Sequence, residues 1–507
     1  MRTALFSSLA SLFFLALISS CEVETEFVTG DSVQLRFSTD TVSFDTVFTS
    51  IGSATQVMKV YNDGSEPIMI DRIRVAGQTG VDFIFNVDGF QGPEATDVVI
   101  WGEDSIFVFV EVTVDPTAPE EVSPFIVEDN LVFETGNVQE EVLLLAFGQN
   151  AFYLPNPNTR ENRGQFFEIN RMFCESGTVA LPVDLPTVIY GSMFIDSCIV
   201  QALAGTRIYF HGGVQRNDAV GGNGFFNDGF IFTQPNGSLQ LLGTRENPVI
   251  LATDRLEERF QDDPAKYRGL ILGPGSKENI VQHTQILNAI IGITIDSFAE
   301  VSVDNSIIAY SGGPAISAYQ SEVTVNNSVF HSNFGNAVQF VKGGTLNMDH
   351  TTIANYGVDA SGLVLTNFDC DESGNNCVAA AMRARIRNSI VSGSRGSELI
   401  FLDIFEDSEP GAFDVRIDNS VVRTNQEFLD SQEGLFADFY GDICRGCYNL
   451  EFSDELFLNL DEDDYQLDSL SVARNRAVFL PGLPTDLLGV ARDTEQPDAG
   501  AYERVDQ

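Results

Sequence analysis

Apolar and polar residues alternate with a period of two through the first third of the chain. Ile106, Val108, Val110, Val112 and Val114 make one face of a run whose other face carries Phe107, Phe109, Glu111, Thr113 and Asp115. Successive side chains of a strand point to opposite sides of a sheet, so this pattern predicts a half-buried strand. Similar runs cover 42–48, 56–61, 68–75, 130–133 and 141–147, separated by turns such as Asn62-Asp63-Gly64. Many short strands in close succession predict a β-sandwich over residues 34–152. Pro155 and Pro157, each followed by Asn, then mark a linker, set at 153–175.

Beyond the linker the pattern becomes a repeat. Val301-Ser302-Val303-Asp304-Asn305-Ser306-Ile307-Ile308 is echoed by Val323 to Phe330, Leu346 to Ile353, Ala384 to Val391 and Val415 to Val422. Aligning the polar position gives His283, Asn305, Asn327, His350, Asn388 and Asn419, with steps of 22, 22, 23, 38 and 31. A fixed period of this size means stacked units that bury a thin core only against their neighbours. The expected unit is a coil of short parallel strands, with the polar residue and its following Ser or Thr at a bend. Those six residues are expected to stack as a structural ladder, each amide bonding the next. The two long steps predict outward insertions, one around Cys370 to Cys377 and one around Asp403 to Asp407.

The N-terminus has a different character. Met1-Arg2, an apolar run from Ala4 to Ile18, and Ser19-Ser20 before Cys21 have the form of a secretory signal. The run is shorter than the roughly 20 residues that span a bilayer, and no later apolar run approaches that length. Ile18-Ser19-Ser20-Cys21 resembles the lipobox of bacterial lipoproteins, with Ile18 in place of the usual Leu. That resemblance implies a signal peptide at 1–20, lipidation of Cys21, and membrane attachment through that lipid. Glu22-Val23-Glu24-Thr25-Glu26, at the head of an acidic tether set at 21–33, resembles export signals of outer-membrane surface lipoproteins, which points to the outer membrane of a bacterium and to its outer face; a merely solvated tether is the alternative.

Charge and cysteine usage narrow the partners. The chain has 28 Lys and Arg against 73 Asp and Glu, a formal net charge of −45, which repels nucleic acid. Apart from Cys21, the cysteines fall into close pairs: Cys174 with Cys198, Cys370 with Cys377, Cys444 with Cys447. An even count in an exported chain predicts disulfides. The Cys444 to Cys447 spacing also occurs in zinc and redox sites, but no second pair and no βαβ context accompany it.

Gly237 to Thr244 with Pro248 to Leu251, and later Asp464 to Leu467 and Gly489 to Glu503, resemble the opening and closing segments of right-handed parallel β-helix proteins of bacterial surfaces. Arg268-Gly269-Leu270-Ile271 stands where that family has an aromatic. The segment 57–75 resembles the immunoglobulin-like modules that precede such repeats. The resemblance implies an all-β chain: an immunoglobulin-like β-sandwich followed by a right-handed parallel β-helix over 176–507. Some members are polysaccharide lyases or hydrolases.

Chemistry is harder to read. Acids are so frequent that carboxylate pairs can be proposed anywhere, and the motifs of polygalacturonases are absent; His211-Gly212-Gly213 is the nearest piece. Arg383, Arg385 and Arg387 share one strand face and could grip a carboxylated or sulfated glycan. Cross-coil ion pairs are the plainer reading of them. Asp461 to Asp464 and Asp369 to Glu372 offer oxygen ligands but match no calcium loop, so no cofactor is expected beyond calcium as an open option. With no acid, base or metal constellation recognisable, the expectation is a non-catalytic, lipid-anchored surface protein that binds extracellular glycan or protein. The alternative is a polysaccharide lyase or glycoside hydrolase working in a groove of the β-helix; a further alternative is a purely structural envelope component. Oligomeric state is not set by these residues.

Overall fold

The computed structural model describes residues 27–28, 33–48, 53, 55–77, 81–114, 125–155, 164–169, 174, 177–218, 223–371, 374, 376–405, 411–425, 427 and 438–505. The signal segment and Cys21 lie outside them, as does most of the acidic tether. The chain divides into two compact units, Met1–Gln149 and Asn150–Gln507. Among the described residues no helix is long and apolar enough to cross a membrane.

The first unit contains two five-stranded sheets. In the strand Asp104–Val114, Val108, Val110 and Val112 are fully buried while Phe107 and Phe109 stay exposed. The β-branched face therefore fills the core, shared with Ile70, Phe85, Leu131 and Leu144 from both sheets. Asn62 fixes a turn from inside: its side chain donates to the Glu66 and Ile100 carbonyls at 2.8 and 3.1 Å and accepts the Gly64 N–H at 2.9 Å.

The second unit is a stack of parallel coils, an all-β solenoid of the β-helix type. A full coil places two strands in a 17-stranded sheet, run together as one in Ile316–Asn326 and Val338–Asp349, and one in an 11-stranded sheet. Phe152–Leu154 and Phe166–Ile169, assigned from sequence to the sandwich end and the linker, pair in parallel with Thr187–Tyr190 and Ser192–Ile195. They belong to the first coil, because strand pairing begins before the repeat becomes legible. In-register columns fill the interior: Val301, Val323, Leu346 and Ala384 form one, and Ile308, Phe330, Ile353 and Val391 another. All eight are buried. The insertion after Thr366 is a hairpin, Phe368–Cys370 with Cys377–Ala379, closed by the Cys370–Cys377 disulfide. Cys174–Cys198 and Cys444–Cys447 are also bonded.

The bends explain the polar row. His283, Asn305, Asn327, His350, Asn388 and Asn419 all have left-handed backbone, with φ between 43° and 53°. Short polar side chains tolerate that conformation best after Gly. The bonds from coil to coil come mainly from the residue after each: Ser306, Ser328, Ser389 and Ser420 accept the N–H of Thr284, Ser306, Thr351 and Ser389 at 3.0 to 3.1 Å. Direct contacts within the row are fewer, Asn327 to Asn305 at 3.2 Å and Asn388 to His350 at 2.9 Å.

The row also docks the end of the chain. Residues from Leu450 to Ala501 pack across the outer side of the 11-stranded sheet, with Leu456, Phe457, Leu487 and Ala499 against Val329, Ala354, Ile390 and Val421. Asn388 pairs with the Val478 backbone as another strand would, donating to its carbonyl at 2.8 Å and accepting its N–H at 3.0 Å. That fixes the amide, so Nδ2 donates to an unprotonated His350 Nε2. Burial, then the nearby Arg492, push His350 down to about 3. Unfolded His takes up its proton near 6.5, so the folded state loses stability as pH falls from there towards 3. His350→Asn is expected to remove about 2 kcal/mol of the stability lost between pH 7.5 and pH 5. Denaturant melts of both proteins at the two pH values check this, and an undiminished loss in the variant counts against it.

Candidate functional site

A cavity of about 290 Å³ lies where the closing segment meets the first bends. That is near the lower end of the roughly 300 to 1,000 Å³ typical of ligand pockets. Arg245, Glu246, His283 and Asn305 line it from the coils, Thr485 and Asp486 from the closing segment. Two glycines permit the fit. A Cβ on Gly243 would lie 2.2 Å from the His283 carbonyl oxygen, and one on Gly489, at φ +81°, would occupy the place of the Arg245 guanidinium. Arg245 spans both walls, pairing with Glu246 at 2.6 Å and donating to the Leu488 carbonyl at 3.2 Å.

The acids of this cavity are pushed in opposite directions. Hydrogen bonding from Arg245 holds the Glu246 carboxyl below its usual range. Burial raises Asp486, outweighing the backbone N–H groups of Glu503 and Val490 that favour its charged form. His283, half-buried, is lowered chiefly by burial; it stays neutral at pH 7 and can accept a proton. One carboxyl kept ionised and another kept towards its neutral form are what acid–base chemistry at one site requires.

The other sequence candidates fall elsewhere. Asn327, His350 and Asn388 lie beneath the closing segment, and Asn419 is at the far bend. Arg385 pairs with Asp414, and Arg387 holds Asp349 through Nε at 2.7 Å; Arg383 is exposed. Asp463, from the run considered for calcium, accepts hydrogen bonds from Tyr310, Tyr465 and Ser332 at 2.6, 2.8 and 3.0 Å, which pins the closing segment to two coils. Hydrogen bonding from His331, then from Tyr310 and Tyr465, holds its carboxyl far below the usual range. Among the described residues no group of three or more His, Cys, Asp or Glu could hold a metal. His211 bonds Asp254 at 2.6 Å and stacks on Tyr190 at 4.3 Å.

Sequence reasoning passed over Arg245, Glu246 and Asp486. The available signal was weak: a charged pair inside the turn between Gly243 and Pro248, and an Asp three residues before Gly489.

No family model and no curated protein matches the chain. Among solved structures, the catalytic unit of a GH87 α-1,3-glucanase from Streptomyces thermodiastaticus is similar at 10% identity and a TM-score of 0.24, covering 72% of this chain and 74% of that one. A variant GH87 α-1,3-glucanase catalytic domain in complex with nigerose matches at 10% and 0.20, covering 72% and 80%. A family 123 glycoside hydrolase from Clostridium perfringens, described in terms of glycolipid glycan hydrolysis, matches at 6% and 0.19, covering 39% and 48%. These structures are glycoside hydrolases, a finding that runs against the expectation of a non-catalytic binding module, which is not carried further. At such scores the likeness transfers no residue, substrate or mechanism to this chain.

Proposed function

We propose that this chain is a glycan-degrading enzyme, a glycoside hydrolase whose reaction takes place in the cavity between the first bends and the closing segment. The observation that carries the reading is the lining of that cavity, where the exposed Glu246, bonded by Arg245, comes from the coils and the buried Asp486 from the closing segment, with His283 beside them. Arg245 lowers the one carboxyl and burial raises the other. In this reading Glu246 takes a proton from the attacking water. Asp486 gives one to the departing glycosidic oxygen, and His283 orients the sugar hydroxyls. The test is incubation of the purified chain with a panel of neutral and acidic polysaccharides, scoring new reducing ends and, separately, unsaturated ends. New reducing ends without unsaturation support hydrolysis. Unsaturated ends would make the chain a lyase, and an inert panel would remove the enzyme reading.

The lipid anchor completes the proposal. Attachment at Cys21 would hold the enzyme at the outer membrane, with the N-terminal sandwich, read as immunoglobulin-like, as a spacer. Metabolic labelling with palmitate is expected to mark the native chain and not Cys21→Ser. Equal labelling of both refutes the anchor.

A further inference from the structure

We propose a second binding site, separate from the cavity, on the outward face of the last coils, and infer that it takes a linear polyanionic glycan bearing carboxylates or sulfates. The strands Met382–Arg387, Phe413–Asp418 and Cys444–Arg445 stack in register on successive coils. Their outward positions carry Arg383, Arg385, Arg387, Arg416 and Arg445, five of the chain's 28 Lys and Arg. Neighbouring strands lie about 4.8 Å apart, so a polymer running along the coil axis meets at least one guanidinium per coil.

The acids on this face do not neutralise it. Asp349 is engaged by Arg387, and Asp414 by Arg385. The Asp414 carboxylate is 3.9 Å from Arg416, whose side chain remains half exposed. Asp418 lies across the strands in register between Arg387 and Arg445, so Asp349, Asp414 and Asp418 stand against five arginines. Arg383 and Arg445 are exposed, and among the described residues neither is in an ion pair. The Cys444–Cys447 disulfide closes the short loop that presents Arg445, which gives that bond a place in the site. Planar guanidiniums with spare donors bind carboxylate and sulfate groups bidentately. The rest of the surface opposes such a ligand, since the chain carries −45 overall. Retention of a polyanion would therefore report this local concentration of charge. The bend carrying Asn388 is four coils from the bend carrying His283, roughly 19 Å along the stack, so the site holds a polymer away from the cavity.

The experiment measures binding of polygalacturonate, dextran sulfate and neutral dextran by calorimetry at low salt. It uses the native chain, a Glu246→Gln variant, and a triple variant with Arg383→Ser, Arg416→Ser and Arg445→Ser. The triple variant leaves the paired Arg385 and Arg387 in place, and circular dichroism checks its fold. The native chain and Glu246→Gln are expected to bind at least one polyanion and not dextran, and the triple variant at least tenfold more weakly. Binding of polygalacturonate alone assigns carboxylate, and of dextran sulfate alone, sulfate. No binding by the native chain, an unaffected triple variant, or equal binding of single-stranded poly-dT overturns the proposal. Cleavage of a neutral glycan is untouched by any of these results, so this site and the cavity stand or fall separately.

Discussion

Glu246→Gln is expected to lower glycan turnover by roughly two to four orders of magnitude, the usual worth of a positioned acid or base. The amide preserves shape but cannot accept a proton from water. Glu246 is exposed and bonded mainly to its neighbour Arg245, so its replacement should leave the thermal midpoint within a degree or two of the native value. That contrast separates a chemical role from a structural one. Initial rates across pH add a second readout. Because Arg245 lowers Glu246 and burial raises Asp486, activity should be lost only below the ordinary Glu range in acid, and retained above the ordinary Asp range on the alkaline side. A Glu246→Gln variant with native rates would remove this residue from the chemistry.

The largest effect on stability is expected at Arg492. Its guanidinium is completely buried and donates to the Asn327 side chain at 2.9 Å and the Gly500 carbonyl at 3.1 Å, with Glu503 at 3.4 Å. Burial pushes Arg492 down and Glu503 up, so both charges are held at a desolvation cost and neither is comfortable alone. Arg492→Met would strand the Glu503 carboxylate and the Asn327 amide oxygen, a loss of about 3 to 5 kcal/mol. Adding Glu503→Gln should recover part of it by removing the unpaired charge, and only part, since the N–H groups of Asp493 and Asp498 bond separate carboxylate oxygens at 3.0 Å and the amide oxygen can accept one of them. Urea unfolding of the three proteins decides it; a loss below about 1 kcal/mol in the single variant would mean that the closing segment is held by its apolar contacts alone.

Periodicity made the coil stack legible, because each repeat signals its own inward positions and the same spacing returns in the next. The left-handed bend residues were legible for the same reason: Asn is enriched where φ must be positive. Their bonding was less so. Asn announces itself by its amide, yet the coil-to-coil bonds fall mostly to the Ser beside it, whose small side chain reaches the next backbone N–H. The first coil was missed because Phe152 to Ile169 lacks the Asn-Ser spacing. The cavity was illegible for a further reason. Arg245 and Leu488 are 243 residues apart, and no local pattern reports that the chain end returns over the sheet to meet an early bend. The arginines of 383 to 387 were visible as a strand face, whereas their continuation through Arg416 and Arg445 needed the register of three coils.

The reading of the cavity as a reaction site is tested most directly by a crystal structure of the Glu246→Gln variant, soaked with an oligosaccharide of whichever polysaccharide the native chain cleaves. A sugar ring is expected in that cavity, with its glycosidic oxygen facing Asp486 and Gln at 246 on the opposite side. A saturated crystal with sugar bound only elsewhere, and the cavity empty, would contradict it.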